Sequence, residues 1–134
     1  MKWNKMVPEI TVTNFEKSFF FYTKVLGFKV IHKRENPKFV YLDLNDAQIM
    51  LEEYHEQGWY TADLKTPFGR GLNFQIEVDN LDRVHESVLK NGINLFRPLK
   101  ETWYTVANGK KEGQKEFLIQ DPDGYLLRFS QYLE

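Results

Sequence analysis

The chain contains no cysteine. Disulfides, zinc thiolates and thiol nucleophiles are therefore excluded. It also lacks any apolar run approaching the roughly 20 residues needed to span a bilayer. The opening Met1-Lys2-Trp3-Asn4-Lys5-Met6 leads into no signal-like apolar block, so a cytoplasmic location is expected. Charge of one sign is missing too. A net charge of −1 gives no argument for nucleic acid or an anionic membrane as partner. Histidine is sparse. His32 falls at a strand end, His55 in a connector and His85 on a helix, and each is expected to be a surface or packing residue.

The residues present fit a globular protein. At 134 residues the chain suits one domain, 1–134, or two small similar halves sharing a core. Hydrophobic residues make up 42% and charged residues 28%, which separates it from disordered chains. Aromatics reach 16%, enough to build a core and to line a site for a flat or greasy ligand.

The clearest local pattern lies near the C-terminus. Phe117 and Ile119 alternate with Glu116, Leu118 and Gln120, as on a half-buried strand. Asp121-Pro122-Asp123-Gly124 is turn chemistry. Tyr125, Leu127 and Phe129 then alternate with Leu126, Arg128 and Ser130.

From the start, Met6 to Val12 reads as a strand, and Pro8 marks an edge, a strand start or an exchanged arm. Asn14 is a good N-cap. Phe15, Phe19, Tyr22 and Leu26 form a helical stripe that Gly27 ends. Strands follow at 28–31, 39–44 and 48–52, with Asn45-Asp46 as a hairpin turn. Residues 54–71 read as a polar connector with no assigned structure. The second half repeats the pattern. Leu72 to Val78 alternates, Asn80 caps a helix carrying Leu81, Val84 and Val88, and Gly92 stops it. Strands are expected near 94–96 and 103–106, then a loop at 108–113, then the terminal pair. Ile10-x-Val12-x-Asn14-Phe15 and Ile76-x-Val78-x-Asn80-Leu81 lie 66 residues apart, which points to an internal repeat, 5–53 and 72–134. The expected fold is α+β: two β-α-β-β-β units whose curled mixed sheets enclose a cavity, with helices on the outer faces.

Parity assigns one face of each sheet to its helix: Ile10, Val12, Ile49, Leu51, Phe74, Ile76, Phe117, Ile119, Leu127 and Phe129. The opposite face carries Val7, Glu9, Thr11, Met50, Asn73, Gln75, Glu77, Glu116, Leu118 and Arg128, with Phe39, Tyr41 and Asp43. It is either a solvated sheet face or the wall of an aromatic-rich hollow.

Three segments together give the chain a family likeness: Val12-x-Asn14-x-x-x-Ser18-x-x-Phe21-Tyr22-x-x-x-Leu26-Gly27-Phe28, Val78-Asp79-Asn80-Leu81 and Asp121-Pro122-Asp123-Gly124. The chain resembles, over nearly its whole length, the vicinal oxygen chelate superfamily of glyoxalase I, extradiol dioxygenases and bleomycin resistance proteins. That resemblance implies paired β-α-β-β-β units around a cavity. It also implies, in metal-dependent members, one His, Gln or Glu ligand from each quarter of the fold. The matching positions here are Val7, Met50, Asn73 and Arg128, which do not form such a ligand set. No metal and no other cofactor is therefore expected.

Within the superfamily, Val7-Pro8-Glu9-Ile10 and Lys115-Glu116-Phe117 with the following turn resemble the bleomycin resistance proteins most. The resemblance implies a homodimer that exchanges its N-terminal strand about a proline hinge, here Pro8. It would sequester a bleomycin-like glycopeptide between subunits and catalyse nothing. Those proteins have a tryptophan where this chain has Gly113, and Trp103 or Trp59 is the candidate replacement. The candidate ligand-binding residues are Phe39, Tyr41, Met50, Trp59, Asn73, Gln75, Trp103, Glu116 and Arg128. For Arg128 an ion pair with Glu116 is an alternative reading. The alternative functions are a diverged superfamily enzyme acting on a small hydrophobic substrate and a binding module for another aromatic compound. Glu9, Asp43, Glu77 and Glu116 are the titratable groups available to the enzyme, with no pairing evident from sequence.

Overall fold

The computed structural model describes residues 2–134. The chain divides into two compact units that meet in sequence between Phe68 and Gly69. In the first, β1 (Glu9–Val12) leads into α1 (Phe15–Phe20), followed by β2 (Lys29–Arg34), β3 (Phe39–Leu44) and β4 (Ala47–Glu53). The strands form one mixed sheet in the order β1-β4-β3-β2, with β1 parallel to β4 and the other pairs antiparallel. The second unit contains β5 (Asn73–Glu77), α2 (Leu81–Lys90), β6 (Arg97–Thr105), β7 (Lys111–Gln120) and β8 (Leu126–Leu133). Its sheet runs β5-β8-β7-β6, with the same connectivity as the first. The fold is α+β, two four-stranded mixed sheets each with a helix after its first strand.

Alternation along the strands explains the cores. Ile10, Val12, Val40, Leu42, Ile49 and Leu51 share one face of the first sheet and are all buried. Phe117, Ile119, Leu127 and Phe129 do the same in the second, fully enclosed, with the Phe117 and Phe129 rings stacked at 5.6 Å. Each such side chain stabilises the fold by about 1.5–3 kcal/mol. Both helices begin as their sequence suggests. Asn14 Oδ1 accepts from Lys17 N at 3.1 Å and Asn80 Oδ1 from Arg83 N at 3.2 Å. The turn after β7 is closed by Asp121 Oδ1, which accepts from the backbone N–H of both Asp123 and Tyr125 at 2.9 Å.

Four local expectations change. The first strand starts at Glu9, not Met6. Pro8 has no N–H to give the ladder, but its carbonyl still accepts from Met50 N at 2.9 Å. α1 stops at Phe20, and residues 21–25 continue as a wider π-helical turn, with Leu26 N donating to Phe21 O at 3.1 Å. The extra residue per turn lets Phe21, Tyr22, Val25 and Leu26 all be buried. No strand forms at 94–96. Instead β6 runs unbroken from Arg97 through Trp103 to Thr105, with a bulge between Arg97 and Lys100. Lys111 to Gly113 belong to β7 rather than to a loop. Among the described residues, no helix is long and apolar enough to cross a membrane.

Candidate functional site

On the first sheet, the face away from the buried row is built in register. Glu9, Met50, Tyr41 and His32 line up across β1, β4, β3 and β2, and Thr11, Glu52, Phe39 and Arg34 form the next row. Two segments lie over these rows.

The N-terminal segment covers the Tyr41 end. Trp3 stands edge-on to Tyr41, ring centres 4.7 Å apart. Gln48, buried beside it, ties the segment down. Its Nε2 donates to Lys2 O and to Asp43 Oδ1, and its Oε1 accepts from Asn4 N, all at 2.9 Å, and from Tyr41 Oη at 2.8 Å. Glutamine supplies two donors and two lone pairs, and all are used.

The start of the connector covers the other end. Tyr54 and Tyr60 stack nearly parallel at 5.2 Å, and Tyr60 Oη accepts from His55 N at 3.1 Å. Gly58 leaves room for this ring: a Cβ there would lie 2.2 Å from the Tyr60 ring and displace it. His55 Nε2 meets Glu52 Oε1 at 2.8 Å. Between this loop and the sheet lies a cavity of about 500 Å³, lined among others by Glu9, Arg34, Glu52, His55, Trp59 and Tyr60. That volume is within the range of small-molecule sites. Partial loss of water around its carboxyl raises the Glu9 pKa above the ordinary value; Glu52 adds to the rise and Arg34 opposes it. The Arg34 guanidinium lies 4.1 Å above the centre of the Phe39 ring.

The nine residues selected from sequence separate accordingly. Phe39, Tyr41 and Met50 share this sheet face, with Phe39 forming floor beneath Arg34, Tyr41 under Trp3, and Met50 between Glu9 and Tyr41. Of the nine, Trp59 alone lines the cavity. In the second unit Asn73, Gln75, Glu116 and Arg128 occupy one face of the sheet. Arg128 Nε lies 3.0 Å from Glu116 Oε2. The N–H is not aimed at that oxygen and neither atom has a hydrogen-bond partner, so the contact is coulombic. Trp103 is on the opposite face, in the row of Lys115 and Phe117. Its ring covers Gly113, where a Cβ would approach within 2.8 Å, and its Nε1 donates to Glu101 Oε2 at 2.7 Å. Trp103 is thus not brought together with Glu116 and Arg128. His85 packs edge-on against Phe117 at 5.2 Å. His55, expected to be a surface or packing residue, lines the cavity, and so do Glu9 and Glu52. The signal for Glu52 was its parity with Met50; nothing in the sequence signalled His55.

The chain as a whole matches a known group of proteins. A sequence profile of the Glyoxalase/Bleomycin resistance protein/Dioxygenase superfamily matches residues 6–129. The chain belongs to that superfamily. It is 26% identical to a bleomycin resistance protein of Geobacillus stearothermophilus over 137 aligned positions, covering 96% of each chain. It is 31% identical to a lactoylglutathione lyase of Neisseria meningitidis over 132 positions, covering 91% of this chain and 86% of the lyase. A solved structure from the mobile metagenome of V. Pseudocholerae has the same fold, with TM-score 0.70 at 24% identity over 100% of this chain and 98% of the other.

Metal-dependent members of the superfamily would place ligands at Val7, Met50, Asn73 and Arg128. Valine has no donor atom, the guanidinium cannot release a proton to bind metal, and a thioether and an amide oxygen do not complete a hard-metal shell. These residues do not fit the metal. Among the described residues, no three His, Asp or Glu side chains cluster as a metal site elsewhere.

Proposed function

We propose that this protein is a cytoplasmic, metal-independent binding protein that acts as a homodimer and sequesters a bleomycin-like glycopeptide antibiotic. The observation carrying this reading is the 500 Å³ cavity with Trp59 and Tyr60 on its wall, in a chain whose residues at the superfamily ligand positions do not form a metal shell. A binding protein needs shape, aromatic surface and a few oriented polar groups, and those are what the first unit supplies. The bleomycin resistance relatives support the choice of ligand. The cavity is too small for an entire glycopeptide, so it would hold one flat part of it. Phe39, Tyr41, Met50, Asn73, Gln75, Glu116 and Arg128 are proposed to contact the remainder, and Trp103, on the other face of its sheet, is not. An exchange of the N-terminal strand about Pro8 is proposed as the dimer contact.

A tryptophan-fluorescence titration with metal-free bleomycin, backed by calorimetry and a mass of the complex, tests this. Saturable submicromolar binding of one drug per chain is expected. Absence of binding at high micromolar drug overturns the sequestration reading. A second reading, a diverged superfamily enzyme acting on a small hydrophobic substrate, is favoured by the lactoylglutathione lyase relative. Turnover in a lactoylglutathione lyase assay would establish it over the first.

A further inference from the structure

The segment before β1 lies against the open face of the first sheet without joining a strand. None of residues 2–6 is buried, and Trp3 is 54% exposed although its ring meets Tyr41 edge-on. The attachments are polar clips. Gln48 Nε2 donates to Lys2 O, Asn4 N donates to Gln48 Oε1, and Asn4 Nδ2 donates to Asp46 O. Once the segment lifts, water can take each lost partner's place, so each bond adds little net stability. The chain then bends at Lys5 and Met6, both exposed, before Pro8 leads into β1.

The sheet side of this contact does not depend on the segment. Tyr41 Oη donates to Gln48 Oε1 at 2.8 Å, and Gln48 Nε2 donates to Asp43 Oδ1 at 2.9 Å. Both bonds join side chains of β3 and β4, which are paired without interruption from Phe39–Glu52 to Leu44–Ala47. With the segment lifted, Gln48 keeps one donor and one acceptor bond, and the Tyr41 ring keeps its place with an edge uncovered. Two arrangements of this end of the sheet are thus compatible with one fold, and a small interaction decides between them. Tyr41, Met50 and Glu9 form one cross-strand row, and Glu9 lines the cavity under the connector. A ligand larger than the cavity extends along that row and meets Trp3.

We propose that residues 2–4 form a displaceable strap. Trp3 occupies Tyr41 in the free protein and leaves when a flat group of the ligand takes that place. This rests on the binding role proposed above and adds how access to the open face is controlled. Trp3 on Tyr41 is an aromatic contact of the kind an incoming ring makes, so the strap is a competitor carried by the chain itself. Apparent affinity is then reduced by the fraction of molecules in which the strap is open.

The test uses the whole chain and begins without ligand. Relative to its intrinsic rate, the Asn4 N–H should exchange with solvent about a hundredfold faster than the Met50 N–H, which donates to Pro8 O on the same sheet. Equal protection of the two overturns the proposal, because the segment then opens only when the sheet does. The ligand arm is calorimetry with 4-phenylbenzyl alcohol, an uncharged molecule of two linked rings, one for the cavity and one for Tyr41. The double variant Trp3→Ala/Asn4→Ala changes only side chains that are not buried and should bind the probe about fivefold tighter than wild type. Adding Tyr41→Leu should cancel that gain. Saturating probe should speed Asn4 exchange in wild type. Unchanged or weaker binding by the double variant overturns the proposal, as does no binding by either protein. Slower Asn4 exchange in the complex also overturns it, since the segment would then clamp the ligand rather than compete with it. The bleomycin titration is read separately. A strap that passes these tests in a protein that does not bind bleomycin keeps the device and removes the antibiotic. Failure of these tests with submicromolar bleomycin binding intact removes the strap and keeps the antibiotic.

Discussion

Glu9 and Gln48 sit on the same sheet face and have opposite relations to stability. Glu9 has its folded-state pKa raised by dehydration and by Glu52. A raised carboxyl pKa means that the native state holds the proton more tightly than the unfolded chain does. Stability is therefore lost as pH climbs from the unfolded value through the raised one. Glu9→Gln removes that penalty. It should raise stability at pH 7 by no more than about 0.5 kcal/mol, because the site is largely open to solvent, and should change nothing well below the unfolded pKa. Urea titrations at the two pH values check this, and a destabilised variant at neutral pH would contradict it. Gln48 is buried and fully satisfied. Gln48→Ala leaves the Tyr41 hydroxyl, the Asn4 N–H and the Lys2 carbonyl to find new partners, at a cost of about 2–3 kcal/mol. It should also free the segment carrying Trp3, seen as faster amide exchange at Asn4. Unchanged exchange there would mean that the segment is held by Trp3 on Tyr41 and by Asn4 Nδ2 donating to Asp46 O.

Elements were legible where a single period dominates. Phe117 and Ile119 against Leu127 and Phe129 gave two strands and their inner face, because alternation in a sheet is a local property. The Asp121 turn was legible for the same reason, since aspartate, proline and glycine act through their own backbone. Gly124 has φ +102°, and a residue with a Cβ there is strained. Gly124→Ala should destabilise by at least about 1–2 kcal/mol, measurable by urea denaturation, with Pro122→Ala far milder. The turn is a rigid joint only if that ordering holds. What could not be read depends on distant partners. The π-helical turn after Phe20 follows from four apolar side chains seeking one core, which no helical period of 3.6 expresses. The face of Trp103 depends on the bulge between Arg97 and Lys100, which no residue there announces. The cavity was hidden because the connector's shape rests on Tyr60 covering Gly58 and on His55 reaching Glu52, a fold of the loop on itself and the sheet rather than a pattern along the chain.

At the scale of the whole molecule the charges nearly cancel, 18 basic residues against 19 acidic ones. A field that cancels cannot gather a cationic ligand from a distance, since beyond about 8 Å salt at physiological strength screens what remains. Capture of the drug proposed above would then depend on the cavity itself and its aromatic wall. Steered association falls steeply as salt rises, whereas association that rests on short-range contacts is much less sensitive. Stopped-flow binding of metal-free bleomycin should accordingly show an association rate that changes by less than about threefold between low salt and about 0.5 M salt. A steep salt dependence would instead require a concentrated acidic field that one chain of this composition does not possess. It would move the source of attraction to a surface assembled from two copies.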